Sequence, residues 1–108
     1  MMKPIYRKVS FREAKELMNR LDGWLLFDVR EEEEYITGHA AGAILFPVDS
    51  ITGQTAAQRI PDRETPVFLY CKTGARAALA AETLAGLGYR RLYNIGSLAG
   101  WPYGLAFD

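Results

Sequence analysis

One cysteine and one histidine among 108 residues leave no internal disulfide and no cluster with zinc or iron–sulfur spacing, so neither a structural metal nor a disulfide framework is expected. Long apolar runs are missing too: none approaches a membrane span, and Met1-Met2-Lys3-Pro4 leads into no apolar segment of a secretory signal. There is no surplus of either charge, because thirteen basic and thirteen acidic residues cancel. Only residues 31–34, four glutamates, concentrate one sign, which makes nucleic acid and anionic membranes unexpected partners. Repeats and low-complexity segments are absent. What is left is the composition of a soluble, cytoplasmic protein, and its length suits one modest core, so residues 1–108 are read as one domain with one site.

Apolar periodicity then places the elements. Ser10 and Glu13 have capping-box spacing, and Phe11, Ala14, Leu17, Met18 and Leu21 follow at helical intervals, which predicts a helix ending near Asp22-Gly23. Trp24-Leu25-Leu26-Phe27 and Ala43-Ile44-Leu45-Phe46 read as short strands, the first buried on both faces. A short helix over residues 31–36 has an acidic first turn, favourable beside the positive end of its dipole. Another is expected near residues 55–60. Pro66-Val67-Phe68-Leu69-Tyr70 reads as a central strand with proline at its start. Residues 76–87, rich in Ala and Leu and stopped by Gly88, form the clearest helix, with Ala77, Ala80, Leu84 and Leu87 on one face. A last strand covers residues 91–95. Strands alternating with helices predict an α/β domain with a mostly parallel sheet.

In such sheets ligands bind at the carboxyl ends of the strands. The segment Cys71-Lys72-Thr73-Gly74-Ala75-Arg76 joins one of these ends, directly after the strand, to a helix N-terminus. A thiol attacks as its thiolate, and loop N–H groups, the helix dipole, Lys72 and Arg76 all favour that anion. Gly74 permits backbone angles that let successive N–H groups converge. Against this stands a plainer reading, in which Cys71 is a small hydrophobe buried at a strand end.

These residues resemble the rhodanese family, whose active-site loop runs Cys-x-x-Gly-x-Arg between a strand and an Ala-rich helix; Cys71, Gly74 and Arg76 match it. A second stretch of resemblance comprises Phe27-Asp28-Val29-Arg30-Glu31, Glu34-Tyr35, Gly38-His39-Ala40-Ala41-Gly42-Ala43 and Pro47. A third is Leu87-Gly88-Tyr89, Leu92-Tyr93 and the run from Gly96 to Trp101. Ala40 departs from the larger aliphatic residue common after the histidine, and the segment around Gly96 matches loosely. The resemblance implies a rhodanese-like fold, a small mostly parallel sheet flanked by helices on both faces. It further implies a sulfurtransferase without cofactor or metal, in which Cys71 takes the sulfane sulfur of a small anionic donor such as thiosulfate. The resulting persulfide passes its sulfur to a thiophilic acceptor, and a persulfide-donor or sulfur-acceptor protein is a further class of partner.

The neighbouring residues each admit two roles. Arg76 either binds the donor or braces the loop through a carboxylate or carbonyls. Lys72 either guides anions or is an ordinary surface lysine, and Thr73 either bonds the persulfide or stabilises the turn. Asp28 and Arg30 border the pocket from a neighbouring strand, with an Arg30–Glu34 ion pair as the economical local arrangement. His39 could be the base of a Cys–His hydrolase, whereas the resemblance makes it a structural hydrogen-bonding residue. Trp101, Tyr103 and Phe107 are read as packing residues. Two other functions share the fold: a cysteine phosphatase, whose loop has one residue more than the four separating Cys71 from Arg76, and a non-catalytic binding module.

Overall fold

A computed structural model describes residues 6–107. Strand β1 (Tyr6–Lys8) leads into helix α1 (Phe11–Arg20), followed by β2 (Leu25–Asp28), α2 (Glu32–Ile36), β3 (His39–Ala40) and β4 (Ile44–Leu45). A 3₁₀ turn (Val48–Ser50) and α3 (Gly53–Arg59) precede β5 (Val67–Cys71), α4 (Ala75–Gly86), β6 (Leu92–Ser97) and β7 (Leu105–Ala106). Ser10 caps α1 through the expected box, its hydroxyl accepting from Glu13 N at 3.0 Å while Glu13 accepts from Ser10 N at 2.9 Å.

Five strands form one sheet in the order β1-β6-β5-β2-β4, with every pairing parallel. The side-chain alternation of β5 divides the core. Val67, Leu69 and Cys71 pack with Phe27, Ile60, Ala77 and Leu84 on the side of α3 and α4. Phe68 and Tyr70 pack with Leu26, Ala14, Leu17 and Met18 on the side of α1. Helices therefore cover both faces, and a central strand walled in twice must be apolar at every position, as β5 is. Small residues bring α4 close: Ala77, Ala80 and Ala81 are fully buried where it meets the sheet.

The elements differ from the sequence expectations mainly at their ends. Cys71 is the last residue of β5 rather than the residue after it, because its carbonyl accepts Leu98 N at 2.9 Å and so prolongs the ladder with β6. β4 keeps only Ile44 and Leu45 of the four residues expected. α1 stops at Arg20, just short of the expected end, with Leu21 extended as its C-cap. α4 buries Ala81 on its inner face in place of Leu87, which is only partly buried. Three strands were not expected at all: β1, and the two-stranded pair β3 and β7, which run antiparallel through His39↔Ala106 and Ala40↔Leu105. Beyond Leu69↔Asn94 the β5–β6 register slips by one, so that Tyr70 pairs with Gly96 and Cys71 with Ser97, leaving Ile95 as a bulge.

Candidate functional site

At the carboxyl end of β5 the chain turns through residues 71–76 into α4. Gly74 adopts φ +99°, in the region that costs an L-residue roughly 1–2 kcal/mol. That conformation turns its N–H onto Cys71 Sγ at 2.9 Å, while Ala77 N approaches the same sulfur at 3.4 Å. Two amide dipoles thus converge on one sulfur, an arrangement suited to negative charge. A Cβ on Gly74 would meet Gly96 Cα at 3.5 Å, ordinary contact, so conformational strain and not crowding sets the effect of a substitution. Gly74→Ala is expected to lower unfolding free energy in urea by about 1–2 kcal/mol; unchanged stability would show that the loop has an unstrained alternative.

The last residues of β6 clamp the start of the loop. Ser97 Oγ donates to Lys72 O at 2.6 Å and accepts from Ala99 N at 3.0 Å, beside the Leu98 N to Cys71 O bond. Lys72, Thr73 and Ala75 face outward, whereas Cys71 has no accessible surface. The plainer reading of Cys71 therefore has its geometry right, in that the residue is buried at a strand end. What that reading does not supply is the pair of amides pointed at the sulfur.

Arg76 braces the loop. Its Nη1 and Nη2 donate to Glu34 Oε1 and Oε2 at 2.7 and 2.9 Å, tying the start of α4 to α2. Glu34 Oε1 also accepts Glu31 N at 2.9 Å, completing the box that caps α2. The Arg76 hydrogen bonds, followed by the one from Glu31, hold the Glu34 carboxyl down at about 2. Because that value lies below the ordinary 4.5, the pair contributes its full stability above the ordinary value and loses it as pH falls toward about 2. Glu34→Gln is accordingly expected to be less stable than wild type near neutral pH, with the difference closing through this acid window. A difference that stays constant with pH would show that the carboxylate's charge contributes nothing.

The expected Arg30–Glu34 pair does not form, since Glu34 is engaged by Arg76. Arg30 turns back on Asp28 instead: its Nε lies 2.9 and 3.0 Å from the two carboxylate oxygens, Nη2 lies 2.6 Å from Oδ2, and its N–H reaches Oδ1 at 2.9 Å. Nη2 also donates to Gly38 O at 2.8 Å. Tyr70 OH donates to Asp28 Oδ2 at 2.7 Å and accepts Ala40 N at 3.0 Å. Burial, reinforced by the bond to Asp28, raises the Tyr70 hydroxyl well above its ordinary value. Asp28 is fully buried and Arg30 is 7 % exposed, so this network supports β2, β3 and β5 from beneath.

His39 is held by Tyr35. Its Nδ1 lies 2.9 Å from Tyr35 O and its ring stacks on Tyr35 at 3.7 Å, in keeping with the structural alternative. A cavity of about 320 Å³ opens beside the loop, between Arg30, Lys72, Leu98, Gly100, Trp101 and Leu105. Trp101 packs edge-on against Phe11 and Tyr103, while Phe107 stands 68 % exposed. No group of three or more His, Cys, Asp or Glu among the described residues could hold a metal, and no helix among them is long and apolar enough to cross a membrane. Sequence reasoning missed Ser97 and Leu98 as loop anchors and gave Glu34 the wrong partner; Arg76 as a brace was one of its two readings.

A family model described as Rhodanese-like domain matches residues 11–102. Thiosulfate sulfurtransferase PspE of Escherichia coli is 35% identical over 71 residues, 66% of this chain and 67% of its own. Thiosulfate sulfurtransferase GlpE of Coxiella burnetii is 30% identical over 98 residues, 90% of this chain and 88% of its own. Among solved structures, a rhodanese with anions from E. coli superposes with a TM-score of 0.72 at 30% identity, covering 78% of this chain and 98% of that one.

Proposed function

The chain belongs to the rhodanese-like domain family, and on that premise we propose that it is a sulfurtransferase working through a persulfide on Cys71. The observation that carries the proposal is the convergence of Gly74 N and Ala77 N on Cys71 Sγ. A sulfur that must bear negative charge, first as thiolate and then as persulfide, needs donors aimed at it before the reaction begins.

The Cys71 thiolate attacks the outer sulfur of thiosulfate, forming the new S–S bond as the bond to sulfite breaks and sulfite leaves with the electron pair. A thiophilic acceptor, cyanide or a thiolate, then attacks the terminal sulfur and returns Cys71 to the thiolate. Splitting transfer into two displacements is nucleophilic catalysis through a covalent intermediate. In the resting arrangement Cys71 has no accessible surface, so admission of the donor requires its surroundings to give way. Lys72, exposed on the same loop, adds a positive charge that attracts an approaching anion.

The phosphatase reading fits the geometry less well. Both terminal nitrogens of Arg76 donate to Glu34, so the end-on fork of the guanidinium is not presented to a tetrahedral phosphate. The test is intact-protein mass after incubation with thiosulfate and again after adding cyanide or a thiol. We expect the gain of one sulfur atom and its loss on adding acceptor. No gain from thiosulfate or from a persulfide donor would overturn the reading in favour of a non-catalytic module.

A further inference from the structure

We infer that Glu34 is a positioning residue for sulfur transfer: by gripping Arg76 it fixes the end of the loop around Cys71 and withdraws that arginine from recognition of the donor. The inference deepens the persulfide reading and rests on it. Two parallel hydrogen bonds at 2.7 and 2.9 Å fix the plane of the guanidinium as well as its distance. Both side chains are about two-thirds buried, at 32 % and 30 % exposure, which separates the pair from freely solvated surface bridges of little worth. Arg76 immediately precedes Ala77 and lies two residues after Gly74, the two residues whose amides reach the sulfur. A shift at Arg76 therefore moves the cradle. Glu34 is itself held by Glu31 N at 2.9 Å, so the brace is rooted in the cap of α2 and does not depend on a loose side chain.

The second half of the inference concerns charge. A guanidinium already matched by a carboxylate adds no net charge to the loop, and its end-on fork is taken. A dianionic donor is left to the loop N–H groups and Lys72.

The decisive experiment is single-turnover sulfur uptake from thiosulfate, followed by intact mass, in wild type, Glu34→Gln, Arg76→Ala and the double variant, with a thermal melt of each. Glutamine removes the charge but keeps an oxygen for Glu31 N. The Glu34→Gln variant is expected to lower the maximal uptake rate about tenfold, roughly 1.4 kcal/mol, without raising the half-saturating thiosulfate concentration. The double variant is expected to be no slower than Arg76→Ala alone, as for two residues acting as one unit. A wild-type rate in Glu34→Gln, losses that multiply in the double variant, or a raised half-saturation at unchanged maximal rate would each overturn the inference. If Glu34→Gln melts below the assay temperature, Glu34→Asp takes its place: retention of charge at shorter reach is expected to give an intermediate rate, and a wild-type rate there would count against the brace. A wild type that takes up no sulfur would remove the persulfide reading itself, whereas an active wild type matched by Glu34→Gln would remove only the brace.

Discussion

Cys71→Ser is expected to take up no sulfur from thiosulfate at any concentration while keeping a cooperative melt. Oxygen replaces sulfur in a site that already offers two N–H donors, Gly74 at 2.9 Å and Ala77 at 3.4 Å, so the new hydroxyl is not left buried without a partner and the loop has little reason to rearrange. Chemistry, in contrast, is lost altogether. A serine hydroxyl is a weak nucleophile without an adjacent base, and His39, the only histidine, is engaged with Tyr35. Intact mass with and without thiosulfate reads the outcome directly. Sulfur retained on the serine variant would place the nucleophile elsewhere and defeat the proposal, since no other thiol exists in the chain.

The largest effect on stability is expected at Asp28. Removing its carboxylate by Asp28→Ala leaves Arg30, 7 % exposed, without its counter-ion, and leaves Tyr70 OH, inside the core, without its acceptor. Breaking a buried pair from one side costs about 3–5 kcal/mol, because the surviving charge stays desolvated. Domains of this size have only about 5–15 kcal/mol in all, so the variant should sit at the edge of folding. Urea titration with a tyrosine or tryptophan signal measures the loss; one below about 1 kcal/mol would mean that Arg30 reaches water with ease. The effect extends beyond β2, because Arg30 also holds Gly38 O and Tyr70 holds Ala40 N. Losing the carboxylate loosens the turn carrying β3 and, through it, β7.

What the sequence disclosed and what it hid follow one division. The capping box of α1, the apolar run of β5 and the alanine face of α4 are local patterns, and the physics that writes them acts over one or two turns. The cysteine loop was legible for the same reason, since strand end, glycine and helix start are contiguous. β7 was not: Leu105 and Ala106 carry no periodicity, and they are a strand only because His39 and Ala40 pass alongside. The Arg30–Glu34 error has the same origin. Spacing of four residues made a local pair economical, but Glu34 is claimed by an arginine 42 residues away, while Arg30 had a partner two residues before it, buried where spacing alone cannot place it. The bulge at Ile95, which delivers Ser97 beside Cys71, is likewise a property of two strands together.

The burial of Cys71 at the end of β5 has a consequence for the protein's redox behaviour. A bond between sulfurs of two copies requires them to approach to about 2 Å with their Cβ atoms about 4 Å apart. A sulfur with no accessible surface, packed with core residues of the sheet and α4, cannot offer that approach in this arrangement. The same burial keeps peroxides from carrying the sulfur up the ladder of its acids, which follows exposure as well as chemical reactivity. The chain's one thiol is therefore held in reserve, sheltered from dimerisation and from irreversible oxidation by its own packing.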